Sequence, residues 1–273
     1  RGIPVFSYIP PSAWAWRKGR AKSCAALADE IVAIFPHELP PYEAAGANIS
    51  FVGNPLIDTV HAEMEPEEAR IHFGIRAEDV PILLMPGSRR EEIERLLPPM
   101  LDAAEILAAE DPARRFFLPV AGGVDVTQIE GHLAVSSVTV TLTHDARYAL
   151  MGIARAAIAA SGTVVMEAAI MGLPAVILYR MSALSYFVGR LLVDVPRFSL
   201  PNILVGETFE TELLQDEVQP ERIAEAMDRI IADGADRAYV MDCLARAVAK
   251  LGEPNAARRV AEKILALART SET

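Results

Sequence analysis

Short apolar runs alternate with stretches of helical period along most of this chain. Residues 3–9, 31–35 and 49–52 read as strands, with a helix over 20–29 and another opening at Pro36 between them. From residue 82 the same rhythm resumes. Strands are predicted at 82–85, 116–120, 137–142, 154–160 and 175–179, and helices at 91–109, 124–134, 144–152 and from Gly162 or Thr163 to Gly172. The helix over 91–109 carries Ile93, Leu97, Met100, Leu101, Ala104 and Leu107 at helical spacing, and Pro98 with Pro99 predicts a kink or a second start inside it. Past Arg180 the pattern gives an apolar helix over 182–193 and a loop or short strand at 198–204. Helices follow at 210–214, 220–233, 236–251 and 256–268. Strands alternating with helices imply an α/β fold around a doubly wound parallel sheet, with ligands at the carboxyl ends of the strands.

The stretch 61–79 is densely charged and breaks this rhythm, so residues 1–60 and 61–273 read as two domains. Apolar residues make up 52% of 273 while aromatics make up 6%, the Ala, Val, Ile and Leu bias of buried parallel strands. A net charge of −11 argues against a nucleic-acid partner. Cys24 and Cys243 stand far apart, and no His-x-x-x-His or Cys-x-x-Cys pair occurs, so no metal site is expected. No apolar run has the length of a membrane span, and no signal peptide is visible. The chain opens without Met, directly in a strand-like run, and reads as a piece of a longer protein.

Two loops at predicted strand ends carry the candidate chemistry. Ser161, Gly162 and Thr163 place little bulk and two hydroxyls at a helix start, where unpaired amides and the dipole favour an anion. Glu167 follows one turn later on the same face, and a carboxylate there suits the two hydroxyls of a ribose. In the other loop Gly87 allows close backbone approach, Ser88 donates a hydrogen bond and Arg89 brings charge. Together they suggest a clamp for a nucleoside diphosphate; each alone also fits an ordinary capped helix. Arg180 either offsets Glu167 or reaches a phosphate, and Asn202 either binds ligand or holds a turn. Trp14, Trp16, Arg17 and Lys18 share a proline-stiffened loop that either meets a sugar or amphiphile or packs its rings inward.

Taken in order, Tyr8-Ile-Pro-Pro-Ser-Ala-Trp14-Ala-Trp16-Arg17, Leu84-Met-Pro-Gly-Ser-Arg89 with Glu92-Ile93, Ala160-Ser-Gly-Thr163 with Glu167, Tyr179-Arg180-Met181, Ser199-Leu-Pro-Asn202 and Glu212-Leu-Leu-Gln215 form one series of motifs. The series resembles the lipid-A-disaccharide synthase family, bacterial inverting glycosyltransferases of the GT-B fold. The resemblance implies a Rossmann-like C-terminal domain and an incomplete Rossmann-like N-terminal domain. It implies transfer of 2,3-diacylglucosamine from UDP-2,3-diacylglucosamine to 2,3-diacylglucosamine 1-phosphate (lipid X), giving the lipid A disaccharide 1-phosphate and UDP, with no cofactor and no metal.

By the same resemblance, UDP contacts fall on Gly87, Ser88, Arg89, Ser161, Gly162, Thr163, Glu167, Arg180, Asn202 and Gln215. Lipid contact falls on Trp14, Trp16 and Arg17, and the enzyme is expected in the cytoplasm, peripheral to the inner leaflet of the cytoplasmic membrane. The helix at 183–193, with Phe187, Leu191 and Leu192, is either a second membrane contact or a core helix. The acidic residue expected to act as base would precede Arg1. One departure stands out: Asn54 follows Gly53 where the family usually has His, and Asn cannot accept a proton at neutral pH. Asn there also resembles UDP-N-acetylglucosamine 2-epimerases, so an epimerase-like isomerase is one alternative reading and a nucleotide-sugar binding module without catalysis is another.

Overall fold

The six strands that dominate this fold run parallel, and their order reverses once. The structure is a computed structural model that describes residues 3–13, 19–181 and 196–270. Trp14, Trp16, Arg17, Lys18 and the helix expected over 182–193 lie outside the described residues. The strands are β1 (Phe6–Tyr8), β2 (Glu30–Ala33), β3 (Ile49–Phe51), β4 (Val80–Met85), β5 (Arg114–Pro119), β6 (Val140–Thr143), β7 (Ala156–Ala160), β8 (Ala175–Tyr179) and β9 (Glu212–Leu214). The helices begin with α1 (Gly19–Leu27), α2 (Leu39–Glu43), α3 (Leu56–Thr59), α4 (Pro66–His72), α5 (Arg90–Glu110) and α6 (Val126–Leu133). They continue with α7 (Arg147–Ile153), α8 (Thr163–Ile170), α9 (Leu200–Val205), α10 (Pro220–Ile231), α11 (Ala235–Ala249) and α12 (Ala256–Thr270).

Contacts divide the chain into two units. In the first, β1-β2-β3 form a parallel sheet, joined by the C-terminal segment from Val248. That segment is tied in by specific bonds. The Asn54 amide donates to Leu251 O at 2.8 Å, Arg259 Nε donates to Val52 O at 2.7 Å, and Lys263 Nζ lies 2.6 Å from Glu30. From sequence, 61–273 reads as one domain; these long-range bonds instead attach α12 to the strands at the chain's start, which no local pattern announces.

The second unit holds the sheet β6-β5-β4-β7-β8-β9, parallel throughout. The chain builds outward from β4 to β5 and β6, then returns to β7 beside β4 and builds the other way. β7 is wholly buried, Ala-Ala-Ile-Ala-Ala, and β4 is buried after its first residue, as expected for strands covered on both faces. Helix α10 packs on α5 and over β7 and β8, while α4 packs on α7.

Three elements depart from the pattern reading. Helix α5 continues unbroken through Pro98 and Pro99. Leu96, Leu97, Met100 and Leu107 are essentially fully buried along it. Each contributes about 1.5–3 kcal/mol by burial, together about 6–12 kcal/mol, which matches or exceeds the roughly 6 kcal/mol that two interior prolines cost. Residues 212–214, expected in a helix, form the edge strand β9, because their backbone pairs with Ile177, Leu178 and Tyr179 and Leu213 is buried. Residues 200–205, expected as loop or strand, form α9. The Ser199 hydroxyl accepts the Asn202 amide at 3.4 Å, Pro201 sits in the first turn, and Gly206 ends the helix at φ +86°.

Candidate functional site

Where the strand order reverses, between β4 and β7, the following loops part to opposite faces and leave a crevice at the carboxyl edge. A cavity of about 330 Å³ lies there, lined by the segments after β4, β5 and β7 and by Arg147 at the start of α7. Gly87, Ser88, Arg89, Ser161, Gly162, Thr163 and Glu167 all line it, so the structure gathers seven of the sequence candidates into one place. A larger hollow of about 410 Å³ opens beside Arg114, Arg115, Phe116 and Ser137. It sits at the starting ends of β5 and β6, the edge opposite to where parallel sheets hold ligands.

The loop after β4 is held by a carboxylate. Gly87 adopts φ +105°, and Glu92 packs where a side chain on that glycine would stand. Glu92 Oε2 accepts the amides of Ser88 and Arg89, both at 3.3 Å, and its Oε1 accepts the Arg89 guanidinium at 2.8 Å. Glu92 thereby closes a capping box at the start of α5. The positive end of that helix and the charge of Arg89 are already met from within the protein.

The loop after β7 is built differently. The Ser161 amide donates to Leu178 O at 2.8 Å and its hydroxyl to Phe198 O at 3.3 Å. No side chain caps α8, and its first residues face the cavity. An anion placed there would meet amides that lack intrahelical partners.

One turn along α8, Glu167 is half-buried, and desolvation raises its carboxyl above the ordinary value while Arg147 pulls it back. Arg147 Nη2 stands 3.4 Å from each Glu167 oxygen. The same nitrogen donates to the Tyr148 hydroxyl at 2.6 Å, and the guanidinium lies over the Tyr148 ring, 4.6 Å from its centre. Ala146 before it holds a left-handed φ of +45°, and Glu63 accepts the Ala149 amide at 2.7 Å, which fixes the start of α7. Sequence reasoning missed Arg147. Its one signal was position: an arginine in the turn after a strand, the place where loops of such a sheet meet ligand.

Three candidates stay outside the cavity lining. The cation beside Glu167 is Arg147, not Arg180, which follows β8 and is half-buried. Asn202 is wholly buried with its amide saturated: Nδ2 donates to Glu210 O at 2.9 Å and Glu212 Oε1 at 2.7 Å, and Oδ1 accepts from the amides of Phe209 and Glu210. It holds a turn and has no bond left to offer a ligand. Gln215 Oε1 accepts the Met181 amide at 3.1 Å and so pins the segment that leaves β8. In the first unit Asn54 is likewise buried and structural, bridging Ile34 O and the Leu56 amide at 2.9 Å each. Among the described residues, no three His, Cys, Asp or Glu side chains gather as a metal site, and no helix is long and apolar enough to cross a membrane.

Known proteins resemble the chain at two levels. A family profile described as lipid-A-disaccharide synthetase matches residues 2–266. The lipid-A-disaccharide synthase of Syntrophus aciditrophicus is 41% identical over 272 residues, covering 99% of this chain and 71% of that protein. The Myxococcus xanthus protein of the same name is 40% identical over 266 residues, covering 97% and 70%. Among solved structures, UDP-GlcNAc 2-epimerase from Neisseria meningitidis bound to UDP-GlcNAc superposes with a TM-score of 0.65 at 16% identity, covering 96% of this chain and 70% of that one. An UDP-N-acetylglucosamine 2-epimerase from Listeria monocytogenes gives 0.64 at 17%, covering 98% and 69%. At such identity the likeness is one of fold alone: α/β, with Rossmann-like parallel sheets of the GT-B type.

Proposed function

The chain belongs to the lipid-A-disaccharide synthase family, glycosyltransferases of lipid A biosynthesis, and we propose that its second unit holds the UDP part of the sugar donor in the cavity between the β4 and β7 loops. The donor is UDP-2,3-diacylglucosamine and the acceptor 2,3-diacylglucosamine 1-phosphate. The products are the lipid A disaccharide 1-phosphate and UDP. Glu167 accepts the ribose hydroxyls. Ser161, Gly162 and Thr163 at the start of α8 meet the diphosphate, with Gly87, Ser88 and Arg89 along the facing loop.

As the anomeric bond breaks, charge grows on the leaving diphosphate, and the amides at the start of α8, which no side chain caps, stabilise that charge without reorganising. Arg180, Asn202 and Gln215 shape the neighbouring segments. The unit that contains residues 1–59 belongs to the acceptor side and the unit from Val60 to the donor side. Trp14, Trp16 and Arg17 touch the inner leaflet of the cytoplasmic membrane, where a diacylated acceptor resides, and the enzyme works there as a peripheral protein.

The observation that carries this reading is the convergence of both loops and Glu167 on one cavity at the strand-order reversal. Calorimetry with UDP tests it. Glu167→Ala and Arg89→Ala are each expected to weaken UDP about tenfold, the worth of one charge-assisted hydrogen bond. Unchanged affinity in both variants removes the assignment.

A further inference from the structure

Two cations line the cavity among the described residues, Arg89 and Arg147, and they are committed to different degrees. Arg89 is bound at 2.8 Å to Glu92, whose other oxygen holds the loop amides. Arg147 stands 3.4 Å from both oxygens of Glu167, longer than the 2.7–2.9 Å typical of a charge-assisted bond. The pair is unequal in its surroundings: the Glu167 side chain is 12% exposed and that of Arg147 is 47% exposed. The carboxylate needs a partner where it lies; the guanidinium has a second support in Tyr148, whose ring it covers and whose hydroxyl it bonds.

We infer that Arg147 is a phosphate-binding residue that guards Glu167 until nucleotide arrives: a ribose takes the carboxylate, and the freed guanidinium pairs with the diphosphate. This rests on the nucleotide reading of the cavity given above. A ribose diol supplies two donors to a carboxylate that now has only long contacts, so Glu167 trades a loose ion pair for two hydrogen bonds. Arg147 then faces the diphosphate from the α7 side, with no ion pair besides Glu167 among the described residues; Glu63 lies near enough to act on its charge but is bonded to the Ala149 amide. Uridine without phosphate must break the same pair with nothing to compensate the arginine. The exchange therefore favours the diphosphate over the bare nucleoside.

The test is the ratio of UDP to uridine affinity in the 273-residue chain, by calorimetry for UDP and displacement of UDP for uridine. Arg147→Gln is expected to weaken UDP about tenfold while leaving uridine unchanged or tighter, because Glu167 is released. Arg147→Lys, which keeps the charge, retains more of the UDP affinity than the Gln variant. Glu167→Gln weakens both ligands. Melting temperatures confirm that each variant is folded. If Arg147→Gln lowers both affinities equally, or neither, while Glu167→Gln still weakens uridine, the exchange is wrong and the nucleotide site stands. If the unaltered chain binds neither UDP nor uridine, the nucleotide site itself falls and the exchange with it.

Discussion

A methyl group at Gly87 would run into the Glu92 carboxylate and stand 3.0 Å from its Cβ. The two residues form one device: the glycine leaves the room that the carboxylate fills, and the carboxylate holds the amides of Ser88 and Arg89. Gly87→Ala pays twice, through the φ of +105° and through displacement of Glu92. It is expected to lower stability by about 1–3 kcal/mol and to weaken UDP at least tenfold. Urea unfolding and calorimetry measure the two effects. Affinity that survives the substitution would separate the β4 loop from the nucleotide.

Asn202 and Glu167 should fail in opposite ways. Asn202→Ala strands the amides of Phe209 and Glu210 in a buried turn, at a cost of about 2–4 kcal/mol for several lost bonds. Its UDP affinity, measured well below the melting temperature, should match that of the unaltered chain. A loss of UDP affinity with an unchanged melting temperature would return Asn202 to the ligand.

Glu210 is 2% exposed, and desolvation pushes its carboxyl up to about 8, opposed by the Ala175 amide and raised further by Glu212. Its Oε2 has no partner among the described residues. The folded chain keeps this proton between the ordinary carboxylate range and about 8, where the unfolded chain has lost it. The stability it contributes is therefore fully present below the ordinary value and is lost as pH rises toward 8. Glu210→Gln stays neutral and should gain on the unaltered chain steadily from pH 5 to 8, by on the order of a few kcal/mol. Denaturation midpoints that track in parallel across that window would show that Glu210 ionises normally.

For the membrane proposal, vesicles of anionic phospholipid provide the readout. Replacing Trp14 and Trp16 together by Ser should reduce flotation of the chain with such vesicles severalfold, and Arg17→Glu should make the remaining binding less sensitive to salt. Flotation unchanged in both would take that loop off the membrane.

Much of the fold could be read along the chain. β4, β7 and β8 are apolar runs bounded by turn residues, and Gly87 with Ser161, Gly162 and Thr163 sits just past two of them. Elements whose state depends on partners far away were misread. β9 is a strand because β8 offers an unpaired edge, and α9 is a helix because Ser199 and Pro201 start it against Glu212, which accepts the Ser199 amide at 2.9 Å. The sequence leaves Asn202 between ligand and turn for the same reason. A polar side chain in a loop has the same appearance in sequence whether its bonds are spent or free.

The sequence by itself determined the alternation of strand and helix, the two loops at strand ends and the family, because each rests on residues that are neighbours in the chain. Only the tertiary structure decided that β7 returns beside β4, that this reversal opens a cavity, and that Arg147 reaches Glu167 within it. Those facts depend on pairing between segments tens of residues apart, which is set by burying both faces of one sheet and carries no local mark.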